Sequence, residues 1–160
     1  MGESALMCPR NFGGIRSVVL YRLRDVTFEH SISVGGFTRC VLAPSATPLE
    51  VHFADSGARY KEHIGPEGGV EHRLEMVVGG LGVELLGRVG AMSRGGIVAL
   101  VALCSGGSLV VGYSPQGGGD YPLRLLEAEA DSATKRTERP TVRLVLGCED
   151  GWSATPLACD

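Results

Sequence analysis

The residues of this 160-residue chain with the most chemical potential are four histidines, five cysteines and a set of serines beside glycine. His52, His63 and His72 recur close to Glu50, Glu62 and Glu71. Imidazole nitrogen with carboxylate oxygen is a donor set that holds zinc and related ions. Yet the spacing matches no ligand motif, and His72 falls on the apolar phase of its segment while Glu71 does not. Surface cross-strand pairs are therefore expected, with no metal site and no cofactor. A cysteine nucleophile needs a thiolate beside a base in a partly open pocket. Cys8 or Cys40 near His30 would be the candidates, and nothing in the spacing fixes that geometry. Ser105 and Ser108 have no G-x-S-x-G setting. Gly95-Gly96, Gly106-Gly107 and Gly117-Gly118-Gly119 do not precede a lysine in the phosphate-loop frame, and they are read as strand connections. No catalytic constellation emerges, and the chain is read as not an enzyme.

The cysteines (Cys8, Cys40, Cys104, Cys148 and Cys159) are odd in number and irregular in spacing, without a C-x-x-C pair. A disulfide framework or zinc knuckle is not expected, and Cys104 reads as a small buried hydrophobe. A hydrophobic content of 44% against 21% charged residues places the chain with globular proteins rather than disordered ones. Its net charge of −3 supplies no global basic field for nucleic acid. The start, MGESALMCPRNFGG, lacks the pattern of a signal peptide, and no apolar run is long enough to span a bilayer. A cytoplasmic origin is expected.

The elements that must position these residues are mostly strands. Glycine numbers 24, which suits a chain of tight turns and hairpins. The clearest stretch is Gly95–Leu126, where Ile97–Cys104 and Leu109–Tyr113 flank a Ser105-Gly106-Gly107-Ser108 turn. Ile97–Cys104 is apolar on both alternating faces, as a central strand covered on both sides would be. Ile15–Val26 alternates, with the arginines of one phase half solvated. A second strand follows through Val26, Phe28, His30 and Ile32, then a short third at Phe37–Leu42. Residues 49–64 read as a hairpin about Ser56-Gly57, pairing Phe53 with Tyr60 and His52 with Lys61. Val70–Val78 is the clearest half-buried strand. Leu81–Ser93 shifts to helical spacing through Leu81, Leu85, Val89 and Met92, with Glu84 and Arg88 outside. Its glycines Gly82, Gly87 and Gly90 weaken it unless a sheet packs close against them. Leu123–Ala130 and Thr141–Cys148 form a last strand pair around the polar loop Asp131–Pro140, and residues 149–160 read as irregular. The expected class is mainly β (α+β), an antiparallel β-barrel or sandwich with one flanking α-helix. The expected organisation is an N-terminal arm, 1–14, and a single β-rich domain, 15–160.

Polar faces on the 49–64 segment and on the long loop mark an interface. Its candidates are Glu50, His52, Arg59, Lys61, His63, Lys135, Arg136 and Arg139. The basic segment at 135–139 is diluted by Glu129, Asp131 and Glu138 and carries no aromatic residues for base stacking. A protein neighbour suits it better than nucleic acid.

The assembled pattern resembles a family of small virion proteins of tailed bacteriophages and prophages, of the tail-tube type. The resemblance lies in the entry Cys8-Pro9-Arg10-Asn11-Phe12-Gly13-Gly14-Ile15 and in the order of strands, hairpin, amphipathic helix and apolar hairpin. It also lies in Gly112-Tyr113-Ser114 and Tyr121-Pro122-Leu123-Arg124-Leu125. It implies a barrel or sandwich with one helix, assembled with itself into rings, often hexameric, that stack into or cap a tube. It further implies contacts with other phage tail proteins, and DNA passing through the lumen without specific binding. There would be no membrane partner; the location would be the virion tail, assembled in the host bacterial cytoplasm. A monomeric β-barrel binding module working through the Gly117–Tyr121 loop is the alternative, and a metal- or cysteine-dependent enzyme around His52, His63 and His72 is a third reading.

Overall fold

The computed structural model describes residues 14–31, 36–52, 57–79, 83–132, 134, 136 and 140–157. In chain order its elements are β1 (Ile15–Arg22), a 3-10 turn (Leu23–Asp25), β2 (Val26–Ser31), β3 (Gly36–Leu42), β4 (Leu49–Val51) and β5 (Ala58–Ile64). There follow β6 (Val70–Gly79), α1 (Val83–Gly95), β7 (Ile97–Leu103), β8 (Ser108–Val111), β9 (Arg124–Asp131), β10 (Thr141–Asp150) and β11 (Thr155–Leu157). They form a seven-stranded sheet in the order β2-β3-β11-β8-β7-β1-β4 and a four-stranded sheet in the order β5-β6-β10-β9. The architecture is the expected one, mainly β with one flanking helix.

β7 sits between β8 and β1, and the sequence explains why. Its two phases are both apolar because each meets a different core. Ile97, Ala99 and Val101 join the main cluster with Val18, Leu20, Leu74, Met76, Leu144 and Leu146. Val98, with Leu100 packed beside it, joins a second cluster of Val26, Phe28, Phe37 and Val110. The main core thus lies between the two sheets, with α1 contributing Val89 and Met92. The second lies inside the curl of the larger sheet. β2 and β8 are three strand spacings apart, about 14 Å if flat, yet Phe28 of β2 meets Tyr113, just past β8, at 4.9 Å, so the sheet rolls into a half-barrel. Phe28 stacks at 4.8 Å on Phe37 and 4.9 Å on Tyr113 within that curl.

The central turn forms as the sequence suggests, with Ala102 opposite Ser108. The 49–64 segment does not form a hairpin. β4 pairs with β1, placing Val51 opposite Val18, whereas β5 pairs with β6, placing Tyr60 opposite Leu74 and Lys61 opposite Arg73. The segment crosses between sheets because Leu49 and Val51 find their burial beside β1; Phe53 lies outside the described residues. Residues 149–160 are not irregular throughout. β11 runs antiparallel to β8 and parallel to β3, linking the two halves of the larger sheet. The glycine pair at 95–96 also ends a helix rather than joining strands. Gly96 takes φ +94 at the exit of α1, and its missing Cβ leaves room for Pro122. The expected close approach of α1 through glycine is not found at its described glycines, since a Cβ on Gly87 or Gly90 would meet nothing within 4 Å; Gly82 lies outside the described residues.

Candidate functional site

On the inner face of the four-stranded sheet, apolar residues fill one end and polar residues the other. The register sets Glu62 of β5, His72 of β6 and Cys148 of β10 in one row, with Asp150 two residues further along β10. Alternation aims all four, and Tyr60, at the same side. His72 is only 2% exposed. Its Nδ1 lies 2.6 Å from the Tyr60 hydroxyl, and its Nε2 lies 2.9 Å from both Asp150 Oδ1 and the Trp152 carbonyl oxygen. The Tyr60 hydroxyl in turn donates to Glu62 Oε1 at 2.9 Å, which also accepts the Ala154 N–H at 2.8 Å. Asp150 Oδ1 accepts the Trp152 N–H at 3.0 Å. The cluster therefore ties three strands to the chain leading into β11.

Burial raises the Tyr60 hydroxyl above its ordinary range, reinforced by its hydrogen bond to Glu62 and by the negative groups around it. Burial also pushes the Cys148 thiol up to about 12, with Asp150 adding to the effect. For Glu62 burial acts upward, but hydrogen bonds from Ala154, Tyr60 and Ser153 outweigh it and hold the carboxyl below its usual value. Ligand atoms of His72, Cys148 and Asp150 all lie within 4.8 Å of one another, so among the described residues this trio could hold a metal ion.

Of the three histidines grouped in the sequence, only His72 enters this cluster. His63 is exposed on the opposite face of β5, and His52 is exposed just beyond β4. The surface-pair expectation thus fails for His72, whose buried phase was the true signal. Tyr60, Cys148 and Asp150 were missed as its partners. Cys104 also departs from expectation: it is disulfide-bonded, with its partner outside the described residues, while Cys40 and Cys148 are free thiols. The Gly117–Tyr121 loop is packed down, for a Cβ on Gly117 would strike Trp152 at 2.5 Å and one on Gly119 would strike Leu23 at 2.7 Å.

The interface candidates separate. Arg59, Lys61 and His63 line β5, an open edge of the four-stranded sheet, and all are exposed. Glu50 is exposed on β4, an edge of the larger sheet, with His52 beyond it. Arg136 is exposed after β9; Lys135 and Arg139 lie outside the described residues. The opposite edge strand, β9, carries Glu127, Glu129 and Asp131 on the same outer face as Arg59 and Lys61; α1 covers its start, where Ser93 Oγ accepts the Leu125 N–H at 2.8 Å. No helix among the described residues is long and apolar enough to cross a membrane. Comparisons with protein-family models, curated proteins and solved structures return no match to the chain.

Proposed function

We propose that the chain is a non-enzymatic structural protein that assembles with copies of itself, head to tail, into rings within a bacteriophage tail. The observation that carries self-assembly is the opposite charge of the two edge strands of one sheet, α1 covering only the start of β9. β5 presents Arg59 and Lys61; β9 presents Glu127 and Glu129 on the same face. The pairings β5-β6, β6-β10 and β10-β9 are each antiparallel, so β5 and β9 run in opposite directions. A second copy set edge to edge in the same orientation continues the alternation of an antiparallel sheet. Main-chain hydrogen bonds then supply affinity, as in strand addition generally, and the charged rows select the register. Such a contact is heterologous, and it closes into a ring when the rotation between copies divides a full turn without a rise along the axis. In a lone copy the same charges guard the edges against indiscriminate pairing.

The tail assignment comes from the sequence resemblance, as do the other tail proteins as partners and DNA as cargo of the lumen. An outer sheet face that mixes Glu71, Glu75, Glu127 and Glu129 with Arg59, Lys61, Arg73 and Arg143, the two β5 cations being opposed by the next copy's Glu127 and Glu129, suits a wall along which phosphates slide, since fixed phosphate contacts need unopposed cations. The test is native mass against protein concentration, with negative-stain images of the same fractions. Rings, tubes or a defined hexamer are expected; a strict monomer at every concentration counts against the reading.

A further inference from the structure

Hydrogen counting around His72 leads beyond assembly. Nε2 faces two oxygens, Asp150 Oδ1 and the Trp152 carbonyl, each 2.9 Å away, a position that an Nε2 hydrogen or a bound cation fills equally well. On the other side of the ring, the Tyr60 hydroxyl has one hydrogen and two neighbours. With that hydrogen given to Glu62 Oε1 at 2.9 Å, Nδ1 supplies the hydrogen of the 2.6 Å contact with the hydroxyl oxygen; turned to Nδ1 instead, the hydroxyl leaves the ring neutral with its hydrogen on Nε2. A metal ion in its place leaves a neutral imidazole, protonated at Nδ1 and with a lone pair at Nε2, which is the form in which histidine ligates.

We propose that His72 Nε2, Cys148 Sγ and the Asp150 carboxylate bind a divalent ion of the zinc class, with the Trp152 carbonyl at hand as a further oxygen donor. His72 and Cys148 face each other across β6 and β10, and Asp150 follows two residues along the same face. The ligand atoms lie within 4.8 Å of one another, close enough for modest side-chain movement to bring them to the ~2.0–2.3 Å bonds zinc makes with nitrogen, oxygen and sulfur. Sulfur, nitrogen and oxygen together select a borderline-soft ion over magnesium or calcium. The thiolate and carboxylate neutralise the ion's two charges; the thiol proton leaves to solvent on binding, and the Nε2 hydrogen does so from a charged ring or passes to Nδ1 in a neutral one. Behind the histidine, Tyr60 and Glu62 form the oriented hydrogen-bond chain that metal-bound imidazoles require. The ion would clamp the end of β10 and the Trp152 turn to β6, a structural role independent of ring formation.

The test is titration of the purified full-length chain with Co2+, an absorbing stand-in for zinc. One equivalent should bind with a thiolate-to-cobalt charge-transfer band that zinc displaces. The band should vanish in Cys148→Ser and persist in Cys40→Ser. Asp150→Asn, nearly isosteric, should keep the band and weaken Co2+ binding at least tenfold. Failure of the wild-type chain to bind Co2+ overturns the proposal. So does a band indifferent to Cys148→Ser, or an affinity indifferent to Asp150→Asn.

Discussion

The Tyr60 hydroxyl joins both halves of the buried polar row, hydrogen-bonded to His72 on one side and Glu62 on the other, while His72 Nδ1 itself lies 3.6 Å from Glu62 Oε1. Replacing it by hydrogen in Tyr60→Phe keeps the ring's packing but leaves Nδ1 of an almost wholly buried histidine without its partner. An unsatisfied buried polar group costs about 1–3 kcal/mol. The urea midpoint should fall accordingly with the slope unchanged, whereas Lys61→Ala, one residue along and exposed, should move it by no more than about 0.5 kcal/mol. Cys148 offers a second readout at this scale. A thiol held at about 12 is thiolate in roughly one molecule in ten thousand at pH 8. Iodoacetamide at that pH should modify Cys148 in the metal-free native chain far more slowly than in the unfolded chain; equal rates would mean the strand row is open to solvent. The sequence held part of this cluster. His72, Cys148 and Asp150 continue the apolar phases of their strands, and Tyr60 shares the buried face of its own. What one sequence lacks is the order in which strands lie side by side, and only that order turns three separate phases into one row.

At the scale of elements, glycine does opposite things in the helix and in the sheet. Gly87 and Gly90 on α1 have open space where a Cβ would be, and neither takes a positive φ. Each alanine there should raise stability by about 1 kcal/mol through helix propensity alone. Gly112 follows β8 at φ +96, and its Cβ would lie 2.7 Å from the Ile97 carbonyl oxygen. That oxygen accepts the Leu123 N–H at 2.9 Å, in the bridge that returns the chain toward β9. Gly112→Ala should therefore destabilise the chain by about 2 kcal/mol or more through backbone strain and the forced loss of that bridge. Thermal unfolding of the three single variants checks both signs. The same contrast explains which elements were legible. β6, β7 and β10 carry long, consistent periods and form where the pattern puts them; β1 stops at Arg22, where a 3-10 turn at Leu23–Asp25 breaks the strand expected to reach Val26, and α1 ends at Gly95 rather than Ser93. β11 is three residues with Pro156 at its centre, and a proline normally marks an edge or an end. It pairs because Gly36 allows β3 close approach: a Cβ there would lie 2.5 Å from the Pro156 carbonyl oxygen. The 49–64 hairpin failed for a different reason. Two alternating strands separated by a glycine turn satisfy the hairpin pattern equally well when each belongs to another sheet.

For the whole molecule, the consequence of the assembly reading is a rule about charge that can be inverted. A head-to-tail joint places β5 of one copy against β9 of the next, so each copy contributes one cationic and one anionic edge. Arg59→Glu with Lys61→Glu makes both edges of a copy acidic, and Glu127→Lys with Glu129→Lys makes both basic. Like charges set against one another across an interface cost several kcal/mol. Each variant alone should therefore need at least about tenfold more protein to assemble than wild type. The fold should survive in both, because all four side chains are exposed and the pair most affected, Arg143 with Glu127 at 3.2 Å, is a surface one, worth at most about 1 kcal/mol. Mixed in equal amounts, the two variants present an acidic β9 to a basic β5 and a basic β9 to an acidic β5. They should co-assemble alternately, and a single chain carrying all four substitutions should assemble with itself. Native mass and negative-stain images of the separate variants, the mixture and the fourfold variant decide the matter. Assembly of each double variant at wild-type concentrations would place the joint elsewhere, on the β4 edge with Glu50 or on the chain after β9. Loss in both without rescue in the mixture would show that these charges matter to the fold or to another contact, and not to each other.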